Sequence, residues 1–205
     1  VRDYGLQRSE GVLLRYLSEA YKTLATNVPE AARDEGVEDV LAFLLTTLKQ
    51  VDSSLLEEWQ GMREEPGPAR PQTAPVRKPP DLGADPKKLA ARVRAEAHRL
   101  VVALARKRYD EAAEMVASSS GWTAERFEAE LQPFWARYDA IDTTPRARQA
   151  SLTQVDPGDE PRVWRVRHAL VSPDGEQDFM LEGQVDLRGR DDSDEPLFDL
   201  RRIGE

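Results

Sequence analysis

The side chains that exchange protons near neutral pH are two, His98 and His168, because the 205-residue chain has 2 histidines and no cysteine. They lie far apart in the chain without metal-ligand spacing, and a chain with no cysteine can hold neither a disulfide framework nor a thiolate metal site. Helical spacing predicts His98 on the side of its helix opposite Leu89 and Leu100, facing solvent. His168 shares a strand face with Trp164 and Val166 and reads either as a core histidine bonded to a neighbour or as a pocket group. A candidate pocket thus gathers Trp135, Tyr138, Trp164 and His168, and a plain aromatic core explains the same four. Asp110-Glu111-Ala112-Ala113 looks like the Mg²⁺-binding motif of a nucleoside triphosphatase, but such a site also needs a glycine-rich loop ending in Lys and Ser/Thr, and no G-x-x-x-x-G-K-[ST] occurs. No catalytic residue, metal ligand or cofactor is therefore assigned to this chain.

A second chemistry is electrostatic. Net charge is −9, yet residues 86–108 carry 8 basic groups and 1 acidic one. Lys88, Arg92, Arg99 and Arg106 fall within about 40° of one another at 100° per residue, a stripe beside an apolar helix face. Such a stripe could follow a phosphate backbone. It could equally be a solvated face with Glu96 bridging Arg92 and Arg99, or a partner for the acidic region 142–205, which carries 9 basic and 15 acidic groups.

The elements that position these residues follow from periodicity. Leu13, Leu17, Ala20, Tyr21 and Leu24 predict a helix over 8–27, and Val37, Val40, Leu41, Leu44, Leu45, Leu48 and Val51 predict another, with a short third helix carrying Leu55, Leu56 and Trp59. This 1–60 segment has too little partner surface for a core of its own and is expected to belong to a larger upstream helical domain. Residues 61–84 hold Pro66, Pro68, Pro71, Pro75, Pro79 and Pro80 and read as an extended linker, or through Pro68-Ala69-Arg70-Pro71 as a ligand for an aromatic groove.

Asp85-Pro86 then opens a helix with its apolar stripe at Leu89, Val93, Ala97, Leu100, Val101 and Leu104, and a second short helix carries Tyr109, Met115 and Val116. Thr123 caps a third that bears Phe127, Leu131, Phe134, Trp135, Tyr138 and Ile141. Four strands are predicted: 146–155, 162–171, a return strand holding Phe179, Leu181, Gly183, Val185 and Leu187 on one face, and 197–203. Ser172-Pro173-Asp174-Gly175 makes the central turn. The fold class is α+β: a helical hairpin, a Pro-rich linker, then at 85–205 helices on a four-stranded antiparallel meander.

Tyr4 to Gly11, Leu14 to Tyr21 and Val51 to Trp59 resemble the C-terminal region of bacterial superfamily II DEAD/DEAH-box helicases, in which an uncharacterised domain follows the motor domains; Trp164 to Leu200 resembles the end of the same domain. The resemblance implies a non-catalytic accessory region of an ATP-dependent RNA or DNA helicase in the bacterial cytoplasm. Its partners would be the upstream motor domains and RNA or DNA, and ATP and Mg²⁺ would bind only to a motor preceding Val1. Residues 104–113, the aromatic helix and the meander are weakly similar to cystatin-like cone domains of the nuclear-transport-factor type, which hold a ligand pocket or a dimer interface. That similarity implies, as alternatives, a ligand-binding or enzymatic cone or a dimerisation module. No apolar run reaches the length of a membrane span, so no membrane partner is expected.

Overall fold

The computed structural model describes residues 10–51, 82–189 and 195–205. The chain divides into two compact units, Val1–Lys78 and Pro79–Glu205. The expected short third helix and nearly all of the expected linker lie outside the described residues, which resume at the 3-10 turn Leu82–Ala84.

In the first unit, helices α1 (Glu10–Asn27) and α2 (Glu35–Val51) form a hairpin. Arg33 ties its corner, donating from Nη2 to the Ala25 carbonyl at 2.8 Å and from Nε to the Val28 carbonyl at 3.1 Å, which satisfies acceptors left open at the end of α1. Asp34 Oδ1 accepts from the Val37 N–H at 2.8 Å and so caps α2. Leu14 and Leu48 are buried against Leu17, Tyr21 and Leu45. The inward row of α1 is turned from the predicted one: Leu13 and Ala20 are exposed and Leu14 is inside. The apolar band of α1 is wider than one neighbouring helix covers, so α2 takes only one margin of it.

The second unit is α+β. Helices α3 (Pro86–Ala105), α4 (Tyr109–Glu114), α5 (Ala124–Glu130) and α6 (Gln132–Arg137) precede a meander of β1 (Thr153–Pro157), β2 (Val163–Leu170), β3 (Phe179–Asp186) and β4 (Phe198–Gly204), paired antiparallel in that order. Val166 and Leu170 of β2, Phe179, Leu181 and Val185 of β3 and Leu200 of β4 share one core with Leu89, Val93, Leu100, Leu104, Phe127 and Phe134 from the helices. Gly175, at φ +89°, makes the expected β2–β3 turn and donates its N–H to the Ser172 carbonyl at 2.9 Å. Gly183 lies at a register shift between β3 and β4, where a Cβ would stand 2.2 Å from the Asp199 carbonyl oxygen. Only glycine permits that approach.

Two expected elements differ. Pro133 divides the predicted aromatic helix into α5 and α6, since a proline removes a donor and crowds the carbonyl four residues back. The strand predicted from Arg146 begins only at Thr153, because 145–148 and 150–152 are 3-10 turns. Ala147 and Leu152 pack there on Ala169 and Val171, beside Met180, and so cover the other face of the sheet. Among the described residues no helix is long and apolar enough to cross a membrane.

Candidate functional site

Helix α3 is the element on which most candidate residues stand, and its start is fixed by sequence chemistry. Asp85 accepts from the N–H groups of Lys87 at 3.0 Å and Lys88 at 3.3 Å, with Pro86 in the first turn, where its missing N–H costs nothing. Twelve of its side chains are buried, Arg94, Glu96 and His98 among them, so the helix is covered on more than one side. That overturns the single wet face on which the basic stripe was drawn.

The four stripe residues divide accordingly. Lys88, half-buried, pairs with Asp85 at 3.6 Å. Arg92 donates from Nε to Glu96 Oε1 at 2.6 Å, with side chains only 12% and 4% exposed. The other carboxylate oxygen, Oε2, accepts from the Leu197 N–H at 2.8 Å, so one buried glutamate binds a guanidinium and anchors the chain entering β4. Such a carboxylate is stabilised by donors on both oxygens. Arg99 is held below its ordinary pKa by burial, with Glu96 opposing that shift and Arg92 adding to it, and its Nε is buried without a hydrogen-bond partner among the described residues. Only Arg106, at the end of the helix, is exposed. Lys88 and Arg106 thus lie on opposite ends of a row whose middle, Arg92 and Arg99, is partly buried.

On another flank of α3 stands His98, which is buried rather than solvated, 6% exposed, with its pKa lowered to about 4 by burial and by the charge of Arg148. His168 is 3% exposed and likewise lowered to about 4, by burial and then by His98. The fold therefore brings the two histidines into each other's field. Thr153 stands opposite His168 in the β1–β2 register, and its Oγ1 lies 2.8 Å from His168 Nδ1. His168 Nε2 is buried without a hydrogen-bond partner among the described residues.

Of the four expected pocket residues, Trp135 and Tyr138 share the Phe134 ring, whereas their polar ends reach different partners. Trp135 packs edge-on against Phe134 and donates its Nε1–H to the Tyr109 hydroxyl at 3.0 Å. Burial raises the Tyr109 pKa, opposed by the Trp135 bond and aided by Glu128. The Tyr138 ring is buried against Phe134 and Phe179 while its hydroxyl reaches Glu176 at 2.5 Å and Asp178 at 3.0 Å. Those contacts, that with Glu176 first, hold the phenol protonated well above its ordinary range. Arg137 pairs with Asp178 at 2.6 Å and with Glu205 at 3.3 Å. Trp164 lies opposite Val185 and Pro157 at the far end of β2 from His168, partly buried against the core.

Sequence reasoning named Arg106 but missed Thr153, the Leu197 N–H and the corner that Lys107 and Arg108 form with Arg106. The first two meet their partners only through tertiary folding; the third was visible as three consecutive cations. Asp110 and Glu111 sit exposed in the first turn of α4, where Glu111 accepts from Arg108 at 3.3 Å, a local ion pair. Among the described residues no group of three or more His, Cys, Asp or Glu side chains is arranged to hold a metal ion.

A family model described as Domain of unknown function (DUF3516) matches residues 1–203. No curated protein and no solved structure matches the chain.

Proposed function

The chain belongs to that family of unknown function, and from this premise we propose that it is the C-terminal accessory region of an ATP-dependent RNA or DNA helicase, positioning nucleic acid or a protein partner without chemistry of its own. Residues 4–60 and 164–200 support this through their resemblance to the tails of superfamily II helicases. The observation that carries the non-catalytic half is the engagement of Glu96: both its oxygens are bound inside the fold, to Arg92 and to the Leu197 N–H. His168 Nδ1 is engaged in the same way by Thr153. Groups so held and so dry serve cohesion rather than turnover. The ligand-binding cone is the weaker reading, since the polar ends of Trp135, Tyr138 and His168 are each bonded to a different partner, Tyr109, Glu176 and Thr153, and Trp164 stands across from Val185. ATP and Mg²⁺ would bind the motor, and a cytoplasmic location would follow from its substrate.

Two assays on the purified 205-residue chain test this. No ATP hydrolysis is expected with Mg²⁺ present, and sustained turnover would overturn the non-catalytic assignment. Weak, sequence-independent RNA binding that falls steeply with salt is expected if nucleic acid is the cargo.

A further inference from the structure

The corner joining α3 to α4 keeps a lysine where the backbone favours glycine. Lys107 has φ 54°, and its N–H bonds the Leu104 carbonyl at 2.9 Å while the Arg108 N–H reaches the Ala103 carbonyl at 3.0 Å. That pair of bonds closes a helix around a left-handed residue, a position that usually falls to glycine because a Cβ is strained there. The side chain has a use that glycine lacks: its ammonium lies 4.6 Å from the centre of the Trp135 ring. Trp135 is half-buried and held at its edge by the Tyr109 hydroxyl, and Arg106 and Arg108 stand exposed on either side of Lys107. The corner therefore presents three consecutive exposed cations, the middle one lying over an oriented aromatic face. Asp110 and Glu111 follow directly, Arg108 pairs with Glu111, and Glu128 faces Tyr109, so the attraction acts at contact range rather than as a long-range field.

We infer that this corner is a contact site for single-stranded nucleic acid, in which Arg106, Lys107 and Arg108 meet phosphates and Trp135 stacks a base on the face that Lys107 covers in the free chain. The inference rests on the nucleic-acid-positioning reading above and moves its contact from the interior of the stripe to the end of α3. A flat ring under a movable cation favours a base over an acidic peptide, because stacking uses the π face that a carboxylate would avoid.

The test is binding of a fluorescein-labelled single-stranded RNA to the full 205-residue chain across a salt series. Three phosphate contacts give a slope of log K on log salt of about −2. The combined variant Arg106→Gln, Lys107→Gly, Arg108→Gln should remove most of that slope while unfolding like the parent, since all three side chains are exposed and glycine suits the backbone at 107. Trp135→Ala should weaken binding by roughly ten-fold. Binding by the parent that the combined variant leaves unchanged overturns the inference and leaves the nucleic-acid reading standing elsewhere on the chain. No binding by the parent at low salt overturns both. Equal loss of a polyglutamate peptide and of RNA in the combined variant, with Trp135→Ala affecting neither, overturns the assignment in favour of an acidic protein partner.

Discussion

The two flanks of α3 bury polar side chains by different means. On one, both oxygens of Glu96 are bonded, Oε1 to Arg92 and Oε2 to the Leu197 N–H. On the other, His98 and His168 are kept neutral, with pKa values near 4, and one ring nitrogen of His168 has no hydrogen bond among the described residues. A buried charge survives by finding donors, whereas a buried histidine survives by giving up its proton. The carboxylate flank should therefore fail when a partner is removed, and the imidazole flank should weaken in acid.

The largest expected effect breaks the first flank. Glu96→Ala leaves Arg92 charged and largely buried and strips the Leu197 N–H of its acceptor, which should cost about 3–5 kcal/mol in urea unfolding of the full chain. Glu96→Gln retains an acceptor and should cost less. A loss below about 1 kcal/mol for Glu96→Ala would place the pair at the surface.

Acid should sharpen the contrast. Below about pH 6.5 the unfolded chain binds protons at His98 and His168 that the folded chain refuses until about pH 4, so stability is fully present above that window and is lost as pH falls through it. Each histidine contributes a slope of roughly 1.4 kcal/mol per pH unit inside the window. Replacing both by Gln should flatten the profile between pH 6.5 and 4, which unfolding at a series of pH values would check.

Smaller effects come from single groups. His168→Leu removes the unbonded nitrogen along with its need for a partner but orphans Thr153, so the change at neutral pH should stay within about 1–2 kcal/mol. Lys107→Gly exchanges backbone relief for a lost cation–ring contact, two opposed terms of about 1 kcal/mol, and its unfolding midpoint should barely move.

How far the sequence revealed this arrangement depends on the range of the interactions. The strands were legible because β3 alternates, β2 does so from Trp164 to His168, and Pro173 and Gly175 mark the turn between them. The Thr123 cap was legible too, and its side chain does accept from the Arg126 N–H at 3.3 Å. Glu96 reaching Arg92 one turn away could be read as an alternative, but its second partner at Leu197 is 101 residues distant and has no local signature. His98 was placed in solvent because a helical wheel assigns one wet side, whereas α3 is covered on several. The 3-10 turns before β1 resemble a strand in composition, but their apolar residues serve the opposite face of the sheet.

The burial of the Arg92–Glu96 pair decides whether the basic row is structure or surface. A double-mutant cycle with Arg92→Leu, Glu96→Leu and the double replacement, read by urea unfolding of the full chain, tests it directly. An internal pair gives a coupling of about 2–3 kcal/mol, with the double variant more stable than either single one. A coupling below about 0.5 kcal/mol, as for exposed pairs, would contradict it and return Arg92 to the surface.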